Sequence, residues 1–268
     1  MNRIERRLAD LRGAGRKALV TFITGGDPDR SATVPAMHAL VTGGADVIEI
    51  GVPFSDPEAE GPAVQKSSER ALAVGTRLLD VLDIVREFRQ RDAETPVLLM
   101  GYLNSVERMG YRTFVDRAVG AGVDGMIIVN LPPEESGELR QLMRERDLDL
   151  IFLIAPTTTP ARIALIAPQA SGFIYYVALK GVTGANHLRT DGIAPQIERI
   201  RAHTDLPIMI GFGIKDGASA RLVAPLADGV VVGSSLVTTV ERNRNQPERI
   251  APALNEQVRE LRTAIDHL

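Results

Sequence analysis

Eight short apolar runs recur along this chain, each separated from the next by a longer stretch with helical periodicity. The runs are Ala18–Ile23, Val47–Gly51, Val97–Gly101, Gly125–Val129, Leu150–Ile154, Phe173–Val177, Pro207–Gly211 and Gly229–Val232. They are rich in Val, Ile and Leu and show almost no polar alternation, the pattern of parallel strands covered on both faces. Between them, Val34, Met37 and Val41 share a helical face, as do Leu78, Leu82, Val85 and Phe88. Leu139, Leu142 and Met143 form another such face, and Leu254, Val258, Leu261 and Ile265 a last one. Pro133 before Glu134 and Glu135, and Thr159 before Pro160, are helix-start signals. No linker rich in Pro, Gly or Ser interrupts the alternation, so the expectation is a single domain over residues 1–268. Eight βα units with right-handed crossovers close as a (β/α)8 TIM barrel, in the α/β class, with a doubly wound open sheet as the competitor. Ile4, Leu8 and Leu11 lie on one face of an extra N-terminal helix expected to cover the barrel bottom.

Composition narrows the function. With 31 Lys+Arg against 34 Asp+Glu the net charge is −3, which carries no basic nucleic-acid footprint. The 268 residues are 44% hydrophobic and 24% charged, as in a soluble globular protein. The chain has no Cys, which excludes disulfides, a Cys-zinc site and a thiolate nucleophile, and a reducing cytoplasm fits. Trp is absent and aromatics are only 4%, too few for a base-stacking platform. No apolar stretch near the N-terminus reads as a signal peptide, and none approaches the ~20 residues of a membrane span. A cytoplasmic location is therefore expected. His38, His187, His203 and His267 show no metal-ligand spacing; His38, His203 and His267 fall on expected helices, and no metal is expected.

In a barrel, chemistry belongs at the C-terminal ends of the strands. There the second strand carries a carboxylate, Glu49, in Val47-Ile48-Glu49-Ile50-Gly51. Period-two alternation places it on the face of Val47. Facing the barrel axis, it would have a raised pKa suited to general acid work; facing a helix, it would be one partner of a buried ion pair. The following segment, Val52 to Pro62, holds Asp56, Glu58 and Glu60 in a long loop, either a lid over the mouth or a solvated acidic turn. Gly181-Val182-Thr183-Gly184, Gly211-Phe212-Gly213 and Gly233-Ser234-Ser235 follow strands six, seven and eight. Small residues after strands seven and eight at a helix start describe a phosphate cradle, or else ordinary turns. Lys180, just past strand six, is a weak candidate for a Schiff base, because its glycine-bordered polar loop offers nothing to lower its pKa.

Taken together, these segments resemble the tryptophan synthase α subunit family over essentially the whole chain. The motifs that carry the resemblance are Glu49-Ile50-Gly51-Val52-Pro53-Phe54-Ser55-Asp56-Pro57-Glu58-Ala59-Glu60-Gly61-Pro62, Thr24-Gly25-Gly26-Asp27-Pro28, Met100-Gly101-Tyr102-Leu103-Asn104, Leu131-Pro132-Pro133-Glu134-Glu135, Tyr176-Val177 with Gly181-Val182-Thr183-Gly184, Gly211-Phe212-Gly213-Ile214 and Gly233-Ser234. The resemblance implies a lyase that cleaves indole-3-glycerol phosphate to indole and glyceraldehyde 3-phosphate without a metal or organic cofactor of its own. It implies that Glu49 is the acid/base at indole C3 and the glycerol hydroxyl. It puts Glu60 in the place of an aspartate acting at the indole N–H. It implies an indole pocket of Phe22, Tyr102, Tyr175 and Phe212, a phosphate site of Gly184, Gly213, Gly233 and Ser234, and a closing loop at Thr183. It further implies an αββα assembly with a pyridoxal-phosphate β subunit, contacted through Asp56, Pro57, Asn104, Pro132 and Glu135. Four positions depart from the family pattern: Glu60 for Asp, Glu58 for an apolar residue, Asn130 for Asp and Ala178 for Ser. Glu58 is expected to raise the pKa of its acidic neighbour. The four departures leave a second reading open, an altered homologue that serves mainly as a binding and allosteric subunit for β.

Overall fold

The structure, a computed structural model, describes residues 1–178, 192–211 and 213–268. Its strands are β1 (Ala18–Thr24), β2 (Val47–Gly51), β3 (Val97–Gly101), β4 (Gly125–Ile128), β5 (Asp149–Ile154), β6 (Ile174–Val177), β7 (Ile208–Gly211) and β8 (Gly229–Val232). They pair in sequence order, all parallel, and β8 returns to β1 to close the barrel. The eight-unit reading therefore holds, with strand ends displaced by a residue at most, and the open sheet is excluded. The helices are α1 (Arg3–Gly13), α2 (Arg30–Gly43), α3 (Pro62–Ala73), α4 (Leu78–Phe88), α5 (Leu103–Met109), α6 (Tyr111–Ala121), α7 (Gly137–Arg144), α8 (Pro160–Ile166), α9 (Ile193–Arg201), α10 (Gly217–Val223), α11 (Ser234–Arg242) and α12 (Ile250–Asp266). Pro133–Glu135 is a short 3₁₀ turn ahead of α7 rather than its first turn. His203 lies in the turn after α9 and His267 just past α12, so neither is helical, whereas His38 sits on α2 and packs against Phe88. No helix among the described residues is long and apolar enough to cross a membrane.

Alternation along each strand sorts the side chains into two cores. Ile48 and Ile50 face the helix layer, while Val20, Val47, Leu98, Ile127, Ile151, Phe173, Met209 and Val231 fill the barrel interior. Ile4, Leu8 and Leu11 of α1 belong to that interior cluster, so the N-terminal helix plugs the bottom as expected. Asn2 caps it and also donates to Asp149 (2.8 Å), and Arg3 reaches Asp124 (2.8 Å), both at the lower strand ends.

A repeated acid at the barrel bottom escaped the sequence reading. Asp46, Asp124 and Asp228 each immediately precede a strand. Each accepts an N–H from the first or second residue of the preceding strand: Leu19 N to Asp46 (2.9 Å), Val97 N to Asp124 (2.8 Å) and Ile208 N to Asp228 (2.8 Å). The buried N–H groups at the strand starts thus find partners without a ladder neighbour. The signal was present as Ala45-Asp46, Val123-Asp124 and Ala227-Asp228, three acids at equivalent places in the repeat.

Candidate active site

Glu49 lies on the inward face of β2, two residues above Val47, in register with Phe22 of β1 and Leu98 of β3. Only 1% of its surface is exposed, and neither carboxyl oxygen has a hydrogen-bond partner among the described residues. Among the described residues no basic side chain reaches it, so the ion-pair alternative finds no partner there. Burial, and then the facing Glu60 carboxylate, push the Glu49 carboxyl up to about 8. A buried carboxyl left without a donor is costly as an anion, and holding its proton is the cheaper state.

Glu60 ends the loop that leaves β2. It is half-buried, and burial pushes it up to about 7 while the Tyr102 hydroxyl beside it pulls the other way. Glu58 is exposed and does not contribute to that shift, contrary to the expectation that a neighbouring like charge would raise it. Burial, not a neighbouring charge, lifts Glu60; the like-charge effect falls on Glu49, which the Glu60 carboxylate raises. Asp56 is exposed as well and bonds Ser55 (2.5 Å).

The aromatic candidates converge on the two carboxylates. Phe22 packs at the mouth with Val64 of α3 and Val237 of α11. It lies over Gly51, where any Cβ would come within 2.7 Å of the ring. Tyr175 on β6 points into the same interior; burial, Glu49 and Glu60 all push its phenol well above its ordinary value. Gly211 on β7 makes room for it, since a Cβ there would meet the ring at 2.6 Å. Tyr102 follows β3, stacks on Phe54 (4.9 Å, 19°) and accepts a hydrogen bond from Ala59 N (3.0 Å). Phe22, Phe54, Glu60, Met100 and Tyr102 enclose a remaining cavity of about 10 Å³, room for roughly one water. A larger hollow of about 570 Å³ lies between α10 and α12, lined by Gly217, Arg221, Arg259 and Thr263. It has no buried acid and lies away from the strand ends, so chemistry rather than volume picks the site.

Two of the expected phosphate-binding segments are described. Gly213 follows β7 with φ +48°, and α11 starts at Ser234 after Gly233, with no side chain capping it. Gly233 abuts Phe22, its would-be Cβ 3.4 Å from that side chain. An uncapped first turn offers N–H groups and the positive end of the helix dipole to an anion. Lys180, Thr183, Gly184, His187 and Phe212 lie outside the described residues. Asp56, Asn104, Pro132 and Glu135 are exposed and Pro57 half-buried, all on segments following β2, β3 and β4, hence on the same rim. Of the remaining departures, Asn130 accepts from Leu103 N (2.8 Å) and donates to Asn104 (3.3 Å), an acceptor role that an amide fills as well as a carboxylate. Ala178 is buried beyond β6, its N–H on Gly211 O (3.0 Å).

Sequence reasoning assigned no role to the residues that hold these loops. Arg70 of α3 forms a bidentate pair with the buried Asp27 (2.7 and 2.8 Å) and reaches Glu241 of α11 (3.3 Å). Thr24 bonds Ser67 (2.6 Å), and Gly26 N donates to Thr33 (2.9 Å). Gly26 has φ +82°, and a Cβ on it would lie 2.2 Å from the Thr76 hydroxyl oxygen. Gly26→Ala is therefore expected to destabilise the protein by about 1–3 kcal/mol, measurable as a lowered urea midpoint.

The match to known proteins extends over this whole frame. Residues 8–266 fit the family described as tryptophan synthase alpha chain. The chain belongs to that family. The tryptophan synthase alpha chain of Nitrosococcus oceani is 54% identical over 266 residues, covering 99% of this chain and 98% of the relative. That of Thioalkalivibrio sulfidiphilus is also 54% identical, covering 99% and 100%. Among solved structures, tryptophan synthase subunit alpha from Legionella pneumophila superposes with a TM-score of 0.93 at 43% identity, with both chains fully covered (100% and 100%). Tryptophan synthase from M. tuberculosis gives 0.88 at 33% identity, covering 99% of each chain. Tryptophan synthase alpha chains thus share this chain's fold end to end.

Proposed function

We infer that this chain is an indole-3-glycerol-phosphate lyase of tryptophan biosynthesis, and that Glu49 and Glu60 are its acid/base pair. The observation that carries the residue assignment is the buried Glu49 carboxyl, without a hydrogen-bond partner among the described residues and facing a second carboxylate at the barrel mouth. In the proposed reaction Glu49 gives its proton to indole C3 while Glu60 takes the indole N–H proton. Glu49, now a carboxylate, removes the glycerol hydroxyl proton. The C–C bond then breaks, its electron pair returns to the indole ring, and the proton on Glu60 goes back to nitrogen. The products are indole and glyceraldehyde 3-phosphate, with both carboxyl groups restored. Phe22, Tyr102, Tyr175 and Phe212 would hold the indole, and Gly184, Gly213, Gly233 and Ser234 the phosphate. Thr183 would sit on the segment that closes afterwards.

The family implies a β subunit as partner. We further propose an αββα assembly in which Asp56, Pro57, Asn104, Pro132 and Glu135 meet β; four of the five are exposed and all lie on one rim. Pyridoxal phosphate would belong to β, this chain would use no cofactor of its own, and both would work in the cytoplasm.

The test is indole release from indole-3-glycerol phosphate, with and without a β subunit, across pH. The site works with Glu60 ionised and Glu49 protonated. kcat/KM should therefore rise as Glu60 loses its proton near pH 7 and fall as Glu49 loses its own near pH 8, a narrow bell whose limbs belong to the pair. A flat profile, or no indole in either assay, would remove the proposal. Glu60→Asp, measured alongside, reads the effect of the extra methylene on turnover.

A further inference from the structure

Glu60 carries one more rotatable bond than the aspartate usual at this place, so its carboxylate has more freedom to lose before it can act. The structure supplies restraints on both sides of it. Gln65, in the first turns of α3, donates through Nε2 to the backbone oxygens of Glu60 (2.9 Å) and Pro57 (3.4 Å). From the other side, Ala59 N–H donates to the Tyr102 hydroxyl (3.0 Å). That bond occupies a lone pair on the phenol oxygen and leaves its proton to be given. The ring itself is fixed by its stack on Phe54 (4.9 Å) and by burial, with 6% of the residue exposed.

We propose that Tyr102, beyond its place in the aromatic wall, is a positioning residue that donates its hydroxyl proton to the Glu60 carboxylate, with Gln65 fixing the backbone of the same loop. The proposal rests on the lyase reading for its effect on rate, but not for its effect on Glu60 itself. The hydroxyl favours the ionised carboxylate, in line with the direction in which Tyr102 moves the Glu60 pKa. An anchored, ionised Glu60 is what a proton acceptor at the indole nitrogen requires, and a displacement of about 1 Å at such a group costs on the order of 100-fold.

The decisive variant is Tyr102→Phe, which keeps the ring and its stack and removes only the hydroxyl. Two readouts separate the possibilities. In the first, the intact chain is labelled with ¹³C at the Glu carboxyl carbons, and the resonance lost in Glu60→Gln is followed against pH. Glu60 should titrate at higher pH in Tyr102→Phe than in the unmodified chain, and an unchanged midpoint would overturn the proposal. In the second, kcat for indole release should fall about tenfold with KM within a factor of about two, and Gln65→Ala should lower kcat in the same way. A raised KM at unchanged kcat would mean that Tyr102 serves binding alone and would also overturn it. If the unmodified chain released no indole, the lyase reading would fall, while the titration would still decide the role of Tyr102.

Discussion

Replacing Glu49 by Gln is expected to lower kcat for indole release by about 10²–10⁴-fold while leaving substrate affinity nearly intact. The amide is close to isosteric, so the β2 register and the neighbours Phe22 and Tyr175 need not move. What is lost is a titratable proton at the inward, fully buried acid of the mouth. The same change should stabilise the fold, and the sign follows from linkage. The folded-state value of Glu49, about 8, lies above its ordinary 4.5. The native protein therefore holds a proton that the unfolded chain has released, and stability is lost as pH rises through that interval. Gln carries no such charge, so the thermal midpoint of Glu49→Gln should exceed that of the unmodified protein, more at pH 9 than at pH 5. A protein that lost activity and stability together would show Glu49 to be a structural acid instead. A functional group kept at a cost to stability is the ordinary trade-off at an active site.

Arg262→Ala is expected to destabilise the fold more than any other single change considered, by roughly 3–5 kcal/mol. Arg262 is 8% exposed and lies where α12 crosses the barrel bottom. It bonds Asp46 (2.9 Å), the backbone oxygen of Lys17 (3.0 Å) and both oxygens of Asp266 (2.9 and 2.5 Å). Asp46 is 4% exposed and also holds Leu19 N, near the start of β1. Its pKa is already raised by burial despite the arginine. Removing Arg262 leaves that carboxylate buried and unpaired, and either its charge or its proton must then be carried at a cost. For a chain of this size the thermal midpoint should fall on the order of 10 °C. The mouth of the barrel is at the opposite end, so activity per folded molecule should persist at low temperature. Loss of turnover without loss of stability would contradict the separation of a structural bottom from a catalytic top.

Much of the architecture was legible in the sequence because it is a local matter repeated eight times. Apolar runs without alternation mark strands covered on both faces, and the helical faces of Val34, Leu78, Leu139 and Leu254 need only spacing to be seen. The N-terminal plug followed from three residues at helical intervals. The inward direction of Glu49 was fixed once Val47 was inward, because side chains alternate along a strand. The motif around Glu49 to Pro62 also fixed the family, since its order survives whatever the tertiary environment does.

Tertiary structure decided everything that depends on distance between segments far apart in sequence. Nothing in the sequence says whether Glu49 has a basic partner, and only the closed barrel shows that none arrives among the described residues. Glu58 and Glu60 differ by two positions and are both acids, yet one is exposed and the other is pushed up to about 7, because only Glu60 is drawn out of solvent beside the Tyr102 hydroxyl. The pairing of Arg70 with Asp27, 43 residues away, and of Arg262 with Asp46, 216 residues away, has no sequence signature at all. Short-range order and strand parity are set by local sterics and periodicity, which a sequence displays directly. Desolvation and charge pairing are set by which surfaces meet, and that is determined only when the whole chain has closed.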